Sequence, residues 1–150
     1  MNSHKFLNVI LIVVIFFLQA CAPATIKTES IPALTEKSQI IVIYFAASDC
    51  RFCTKWEENN KGFFASDESK FIDFRTIRRA YFLEPVYKDD LPDDLKWVLE
   101  KTKIGGTAPT FIVIVDRNIL LQTHKWDREV LPLIKELVTM KKDSLKKVNE

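Results

Sequence analysis

Glycine and histidine are both scarce. The 150-residue chain holds three glycines, two histidines and three cysteines. Three glycines beside eleven phenylalanines exclude a low-complexity or disordered chain and leave ample apolar material for a core. His4 and Cys21 fall within or at the end of the N-terminal leader, so His124, Cys50 and Cys53 alone do not readily supply the about four ligands of a structural zinc site. An excess of one charge is also missing. Lys and Arg number 22 against 20 for Asp and Glu, which argues against nucleic acid as the main partner. A long apolar run is missing too. Phe6 to Leu18, broken only by Asn8, is shorter than the about 20 residues that a helix needs to cross a bilayer. No internal repeat is visible.

What is present begins with that run. Lys5 gives it a short positive start, and the whole fits a secretory signal peptide. Leu18-Gln19-Ala20-Cys21 follows and resembles the bacterial lipobox. That resemblance implies cleavage before Cys21, a diacylglycerol on its sulfur and acylation (palmitate) of the new amino terminus. An ordinary secreted protein cut near Ala20, or an uncleaved anchor, is the alternative. Two or more acyl chains give durable anchoring. The expected division is a signal peptide over 1–20, a lipid-attached tether over 21–38, a folded domain over 39–140 and a charged tail over 141–150. The tether holds Pro23 and Pro32 without apolar periodicity, so it is expected to be extended and mobile. The expected location is the cell envelope, on a membrane facing the periplasm or exterior. Ala22 in place of Asp after Cys21 allows the outer membrane by the sorting rule of such lipoproteins.

Three cysteines are an odd number. With Cys21 lipidated, Cys50 and Cys53 remain as a self-contained pair. In an oxidising compartment such a pair tends toward disulfide. The pair follows Ile40-Ile41-Val42-Ile43-Tyr44-Phe45, a β-branched and aromatic run without charge. That pattern predicts a strand buried on both faces, in the middle of a sheet covered by helices. Ala46 to Asp49 forms the turn, and a helix follows Cys50, with Phe52 and Trp56 on one face. Cys50 is thus placed at a strand end and a helix start.

The rest of the chain continues the alternation. Lys70 to Ile77 reads as a second strand and Arg78–Pro92 as an irregular insertion. Asp93 to Lys103 reads as a helix with acids in its first turn, ended by Gly105-Gly106. Pro109 opens the apolar strand Thr110–Val115, Asp116-Arg117-Asn118 turns, and Ile119–His124 returns antiparallel. Asp127 is expected to cap a final helix whose apolar positions are Val130, Leu131, Ile134, Leu137 and Val138. The fold class is α/β: a mixed central sheet flanked by helices, with a parallel first pair and an antiparallel edge.

Two stretches, Ile43-Tyr44-Phe45-Ala46-Ala47-Ser48-Asp49-Cys50-Arg51-Phe52-Cys53 and Thr107-Ala108-Pro109-Thr110-Phe111, resemble the thioredoxin superfamily. The resemblance covers roughly Gln39 to Met140 and implies a thioredoxin-like fold. It also implies a cis-Pro109 facing the cysteines, and an Ala108 whose backbone pairs with a substrate's extended chain. Cys50 is then the nucleophile and Cys53 the resolving thiol. The unpaired N–H groups of a first helical turn favour a thiolate at Cys50. Arg51 should favour it further and Asp49 oppose it. Three departures stand out. Tyr44 occupies the place of a buried acid common in the family, Asp49 replaces a Trp, and Arg51-Phe52 replaces Gly-Pro.

The expected function is that of a lipid-anchored thiol–disulfide oxidoreductase acting on exported proteins, leaning toward a reductant. Its partners are protein thiols or disulfides and a membrane electron donor, without nucleic acid. The motifs call for no cofactor and no resident metal. One alternative is a binding module holding Cys50–Cys53 as a static disulfide. The other is copper delivery through Cys50, Cys53 and His124, although copper-delivering relatives of the fold use Cys-x-x-x-Cys. His124, Trp56, Trp97, Trp126, Phe63-Phe64 and Tyr81-Phe82 read more simply as surface or packing residues.

Overall fold

The structure, a computed structural model, describes residues 26–27 and 31–148. The leader, the lipidation site at Cys21, residues 22–25 and 28–30 of the tether and residues 149–150 of the tail lie outside the described residues. A two-residue strand, β1 (Ile26–Lys27), comes first. Then follow β2 (Ile40–Ala47), α1 (Arg51–Asn59), α2 (Lys61–Phe64), β3 (Ile72–Arg79), α3 (Val98–Lys101), β4 (Thr110–Val115), β5 (Asn118–Thr123) and α4 (Leu131–Val148). The strands form one sheet in the order β1-β5-β4-β2-β3. β2 and β3 are parallel, and the other neighbours are antiparallel. The chain is thus an α/β fold with a mixed sheet flanked by helices.

β2 is buried at every position because both faces of the sheet are covered. Ile40, Val42, Tyr44 and Ala46 face one layer, with Phe111, Val113, Trp126, Val130, Ile134 and Leu137. Ile41, Ile43 and Phe45 face the other, with Ile112, Ile114, Leu91, Leu95 and Val98. The period of two in a strand sends alternate residues to opposite cores. Each fully buried Val, Leu, Ile or Phe contributes about 1.5–3 kcal/mol, so this one strand anchors both layers.

Several boundaries differ from the sequence expectation. β3 starts at Ile72, because Glu68–Phe71 winds into a 3₁₀ turn first. There the Ser69 hydroxyl donates to the Phe64 and Ser66 carbonyls, 3.1 and 2.8 Å away, a local alternative to strand pairing. The helix expected over Asp93–Lys103 is a 3₁₀ turn, Asp93–Leu95, followed by the short α3. Thr102 stops α3 before the glycines do. Its backbone is extended, and its hydroxyl donates to the Val98 carbonyl at 2.7 Å. Asp127 does not cap the last helix. A π turn, Trp126–Val130, leads into α4 with no side-chain cap, and burial of Trp126 to 3 % exposure sets that entry. α4 continues through residues 141–148, and Lys141 Nζ donates to the Ser38 carbonyl. The β4–β5 hairpin is not the edge of the sheet, because β1 pairs outside β5. Within the expected tether, Ile31 and Leu34 also pack on the first core.

The hairpin turn needs left-handed backbone, and Asp116 (φ 48°) and Arg117 (φ 65°) supply it. Asp116 is held there by the Gln39 N–H, which donates to its Oδ1 at 2.8 Å. The segment after β3 folds back over the sheet end. Phe82 packs on the first core, and Val86 and Leu91 on the second. The Leu83 backbone lies directly against Gly106. This brings the segment to the loop that carries Pro109.

Candidate active site

The strand register places the site. β2 ends and β4 begins at the same edge of the sheet, where Phe45 lies opposite Thr110. The residues just beyond β2 lead to Cys50, and those just before β4 are Ala108 and Pro109. The turn out of β2 is tied down on its other side. Ser48 donates both its N–H (3.0 Å) and its hydroxyl (3.2 Å) to the carbonyl of Arg79 at the end of β3.

Cys50 caps α1. Its Sγ accepts the backbone N–H of Cys53 at 3.1 Å, and its backbone is extended as an N-cap requires. Cys50 and Cys53 are joined as a disulfide, with their Cα atoms 5.3 Å apart. The same N–H would face a Cys50 thiolate after reduction, a charge-assisted contact stronger than the neutral one. The Ala108–Pro109 bond is cis. The Ala108 carbonyl oxygen lies 3.5 Å from Cys50 Sγ, so the proline loop faces the Cys50 sulfur. This is a thioredoxin-like fold.

Comparison with known proteins adds little beyond this geometry. No family model and no curated protein matches the chain. Among solved structures it is similar to the periplasmic thioredoxin SoxS from Paracoccus pantotrophus in its reduced form. The identity is 15 %, over 68 % of this chain and 98 % of that one, with a TM-score of 0.43. It is also similar to a malarial protein at 20 % identity, over 65 % of this chain and 96 % of that one, with a TM-score of 0.41. The thioredoxin-like assignment rests on the chain's own strand order, cysteine placement and cis-proline.

Both cysteines of the pair are buried: Cys50 is 3 % exposed and Cys53 is 0 % exposed. Phe52 between them is 65 % exposed instead. Asp49 and Arg51 are both on the surface. The Arg51 guanidinium carbon sits 5.9 Å from the Phe52 ring centroid. Tyr81 and Leu83 of the segment after β3 are also strongly exposed, although burial was expected for Tyr81. Phe82 beside them is partly buried against the core that holds Cys50.

His124 is exposed and bonds the proline loop. Its Nδ1 lies 2.7 Å from the Pro109 carbonyl oxygen. A carbonyl only accepts, so Nδ1 carries the proton and is not a metal ligand in this arrangement. The Thr110 hydroxyl sits 3.1 Å from the same nitrogen and donates to the Thr107 carbonyl. Among the described residues no three His, Cys, Asp or Glu side chains gather as a metal site. The structure therefore does not assemble Cys50, Cys53 and His124 into a copper set.

Beneath the pair lies an aromatic cluster. The Tyr44 ring stacks on Phe111, with centroids 5.2 Å apart at 13°, and lies 4.4 Å from Trp56. Trp56 in turn meets Trp126 edge-on at 4.9 Å. Tyr44 carries no charge of its own, yet a carboxylate stands beside it. The Tyr44 hydroxyl donates to Glu57 Oε1 at 2.9 Å and lies 3.5 Å from the Cys53 carbonyl oxygen. Arg78 of β3 donates to that same Glu57 oxygen. Burial first, then the hydrogen bond to Glu57, pushes the Tyr44 phenol well above its ordinary range. Sequence reading missed Glu57 and Arg78. Glu57 lies four residues beyond Cys53, on the same helical face, which was the available signal. Arg78 was hidden because the strand end fell inside the expected insertion.

Chemically, the arrangement is suited to thiol–disulfide exchange. It offers a sulfur at a helix N-terminus, a second sulfur one turn on, and a backbone carbonyl facing the first.

Proposed function

We propose that this protein is a lipid-anchored thiol–disulfide oxidoreductase acting on cysteines of exported proteins, most simply as a reductant. Cys50 attacks a substrate disulfide, and Cys53 resolves the mixed disulfide. The observation that carries the reading is Cys50 at the cap of α1, its sulfur bonded by the Cys53 N–H and facing the Ala108 carbonyl beside a cis-proline. Ala108 then receives the substrate's backbone, and Asp49 and Arg51 bias the Cys50 thiolate in opposite directions. The lean toward reduction is supported by the segment after β3, which carries a three-residue 3₁₀ turn, Lys88–Asp90, and no helical domain. A reductant of this kind is recharged by a membrane electron donor. The signal-like leader and Cys21 supply the envelope location and the membrane attachment. No helix among the described residues is long and apolar enough to cross a membrane.

The test uses cysteine variants and a redox titration. Cys50→Ser abolishes disulfide reduction, and Cys53→Ser accumulates mixed disulfides through Cys50. Equilibration of the pair against a glutathione series gives its midpoint potential. Full activity in Cys50→Ser, or a pair that stays oxidised across the series without turnover, favours the static-disulfide binding module instead. Loss of palmitate labelling in Cys21→Ser checks the anchor.

A further inference from the structure

The exposed apolar side chains of this protein are not scattered. Among the large hydrophobics of the described residues, the most exposed are Leu83 (78 %), Tyr81 (68 %) and Phe52 (65 %). All three belong to the end of the sheet where Cys50 meets the proline loop. Phe52 lies between the cysteines in the first turn of α1. Tyr81 and Leu83 follow β3, which runs parallel to β2 and ends at Arg79, opposite Ala47. The Leu83 backbone rests on Gly106, in the loop that carries Pro109. The same segment sends Phe82 and Val86 into the cores, so core packing does not account for Tyr81 and Leu83. Apolar side chains collected at one end of a fold mark an interaction surface.

What covers that surface follows from where the chain enters the sheet. β1 is antiparallel to β5, with Ile26 opposite Gln122 and Lys27 opposite Leu121. The chain therefore enters β1 from the Thr123 end of β5, and Thr123 pairs with Phe111 near the start of β4. His124, the next residue, bonds the Pro109 carbonyl. The entry into β1 and the cysteine pair thus share one end of the sheet. Five residue steps separate Ile26 from Cys21, and they span at most about 18 Å. A lipid on Cys21 holds a bilayer within that reach of the active-site end. The Arg51 guanidinium carbon, 5.9 Å from the Phe52 ring centroid, adds a cation beside an apolar side chain. Segments that lie on anionic headgroups use that combination.

We propose that the active-site end of the sheet lies on the bilayer that holds the lipid, with Phe52, Tyr81 and Leu83 set into its headgroup region. This inference rests on the lipid-anchor reading above. The lipid and the apolar rim act as two membrane signals, and the rim fixes which face of the protein meets the membrane. Cys50 and Ala108 then face cysteines that a membrane-embedded partner presents at the bilayer surface.

The experiment places the processed, lipidated chain, with its disulfide intact, in phosphatidylethanolamine–phosphatidylglycerol vesicles whose acyl chains carry bromine, a short-range quencher of tryptophan. Leu83→Trp and, separately, Tyr81→Trp report on the rim. Lys37→Trp is the control, exposed just ahead of β2 at the opposite end of the sheet. The signal of Trp56, Trp97 and Trp126 is subtracted using the wild type. The rim tryptophans are expected to shift to the blue and lose emission on brominated vesicles, while Lys37→Trp keeps its emission. The loss is greater with bromine near the headgroup than near the chain end, since interfacial side chains bury about 5–10 Å deep. Equal emission on brominated and plain vesicles for rim and control alike overturns the inference and leaves the lipid anchor standing. Rim tryptophans that stay unquenched on vesicles and shift only when a protein disulfide is added assign the rim to a protein partner, and also overturn it. A chain that takes up no palmitate removes the anchor reading, and the inference with it. The Cys50→Ser assay of disulfide reduction judges the redox reading separately in every case.

Discussion

Gly106 is where the segment after β3 meets the loop that carries Pro109, and a single methyl group tests that contact. A Cβ at Gly106 would sit 2.8 Å from the Leu83 carbonyl oxygen, 3.1 Å from its carbon and 3.3 Å from its Cα. All three are backbone atoms, so no side-chain rotation relieves them. No glycine here has a positive φ, which leaves the contact itself as the penalty. Overpacking of this kind costs about 1–3 kcal/mol. Gly105 and Gly62 are internal controls, since a Cβ at either meets nothing within 4 Å. Replacing them with Ala is expected to stabilise by about 0.4–1 kcal/mol, through lost freedom of the unfolded chain. Urea unfolding of the oxidised protein reads all three, as midpoint shifts at constant slope. The expected order is Gly106→Ala below wild type, with Gly105→Ala and Gly62→Ala at or above it. A Gly106→Ala midpoint equal to or above wild type would refute the reasoning. It would show that the segment yields freely and does not bear on the proline loop.

Three further outcomes follow from packing and titration. Phe45→Ala empties a fully buried site in the second core and is expected to cost about 3–5 kcal/mol by the same unfolding assay. Tyr44 has its pKa raised above the ordinary value of 10.0, so its stabilising contribution is complete below that pH. As pH rises past 10.0 the unfolded phenol ionises while the folded one holds its proton, and stability falls. Tyr44→Phe should flatten that alkaline decline, and equal slopes for the two proteins would count against it. Phe52→Ala removes a ring that is 65 % exposed and should leave stability within about 0.5 kcal/mol. Its effect, if Phe52 meets the partner, appears in the KM for a protein disulfide.

The parts of the fold written in strong apolar runs were legible. β2 and β4 sit where β-branched and aromatic residues cluster, since burial on both faces admits nothing else. The pair and its proline were legible for the same reason, because both flank those strands. Elements set by side-chain hydrogen bonds were not. Thr102 ends α3 by bonding the Val98 carbonyl, and Ser69 winds a 3₁₀ turn where a strand was expected. Neither act has a periodic signature. Asp127 looked like a cap, but burial of Trp126 decided the helix entry. Glu57 and Arg78 escaped notice because what joins them is Tyr44, and a three-element contact cannot be read from spacing along one.

The antiparallel pairing of β2 with β4 has a consequence for how such a protein can change over time. Cys50 and Ala108 are brought face to face by two neighbouring strands, held one ladder spacing apart, about 4.8 Å, by main-chain bonds. The ladder therefore fixes where the two loops leave the sheet, and the turns beyond the strand ends complete the 3.5 Å approach of Cys50 Sγ to the Ala108 carbonyl. Substitutions on the outer surface that spare the ladder and these turns leave that placement unchanged.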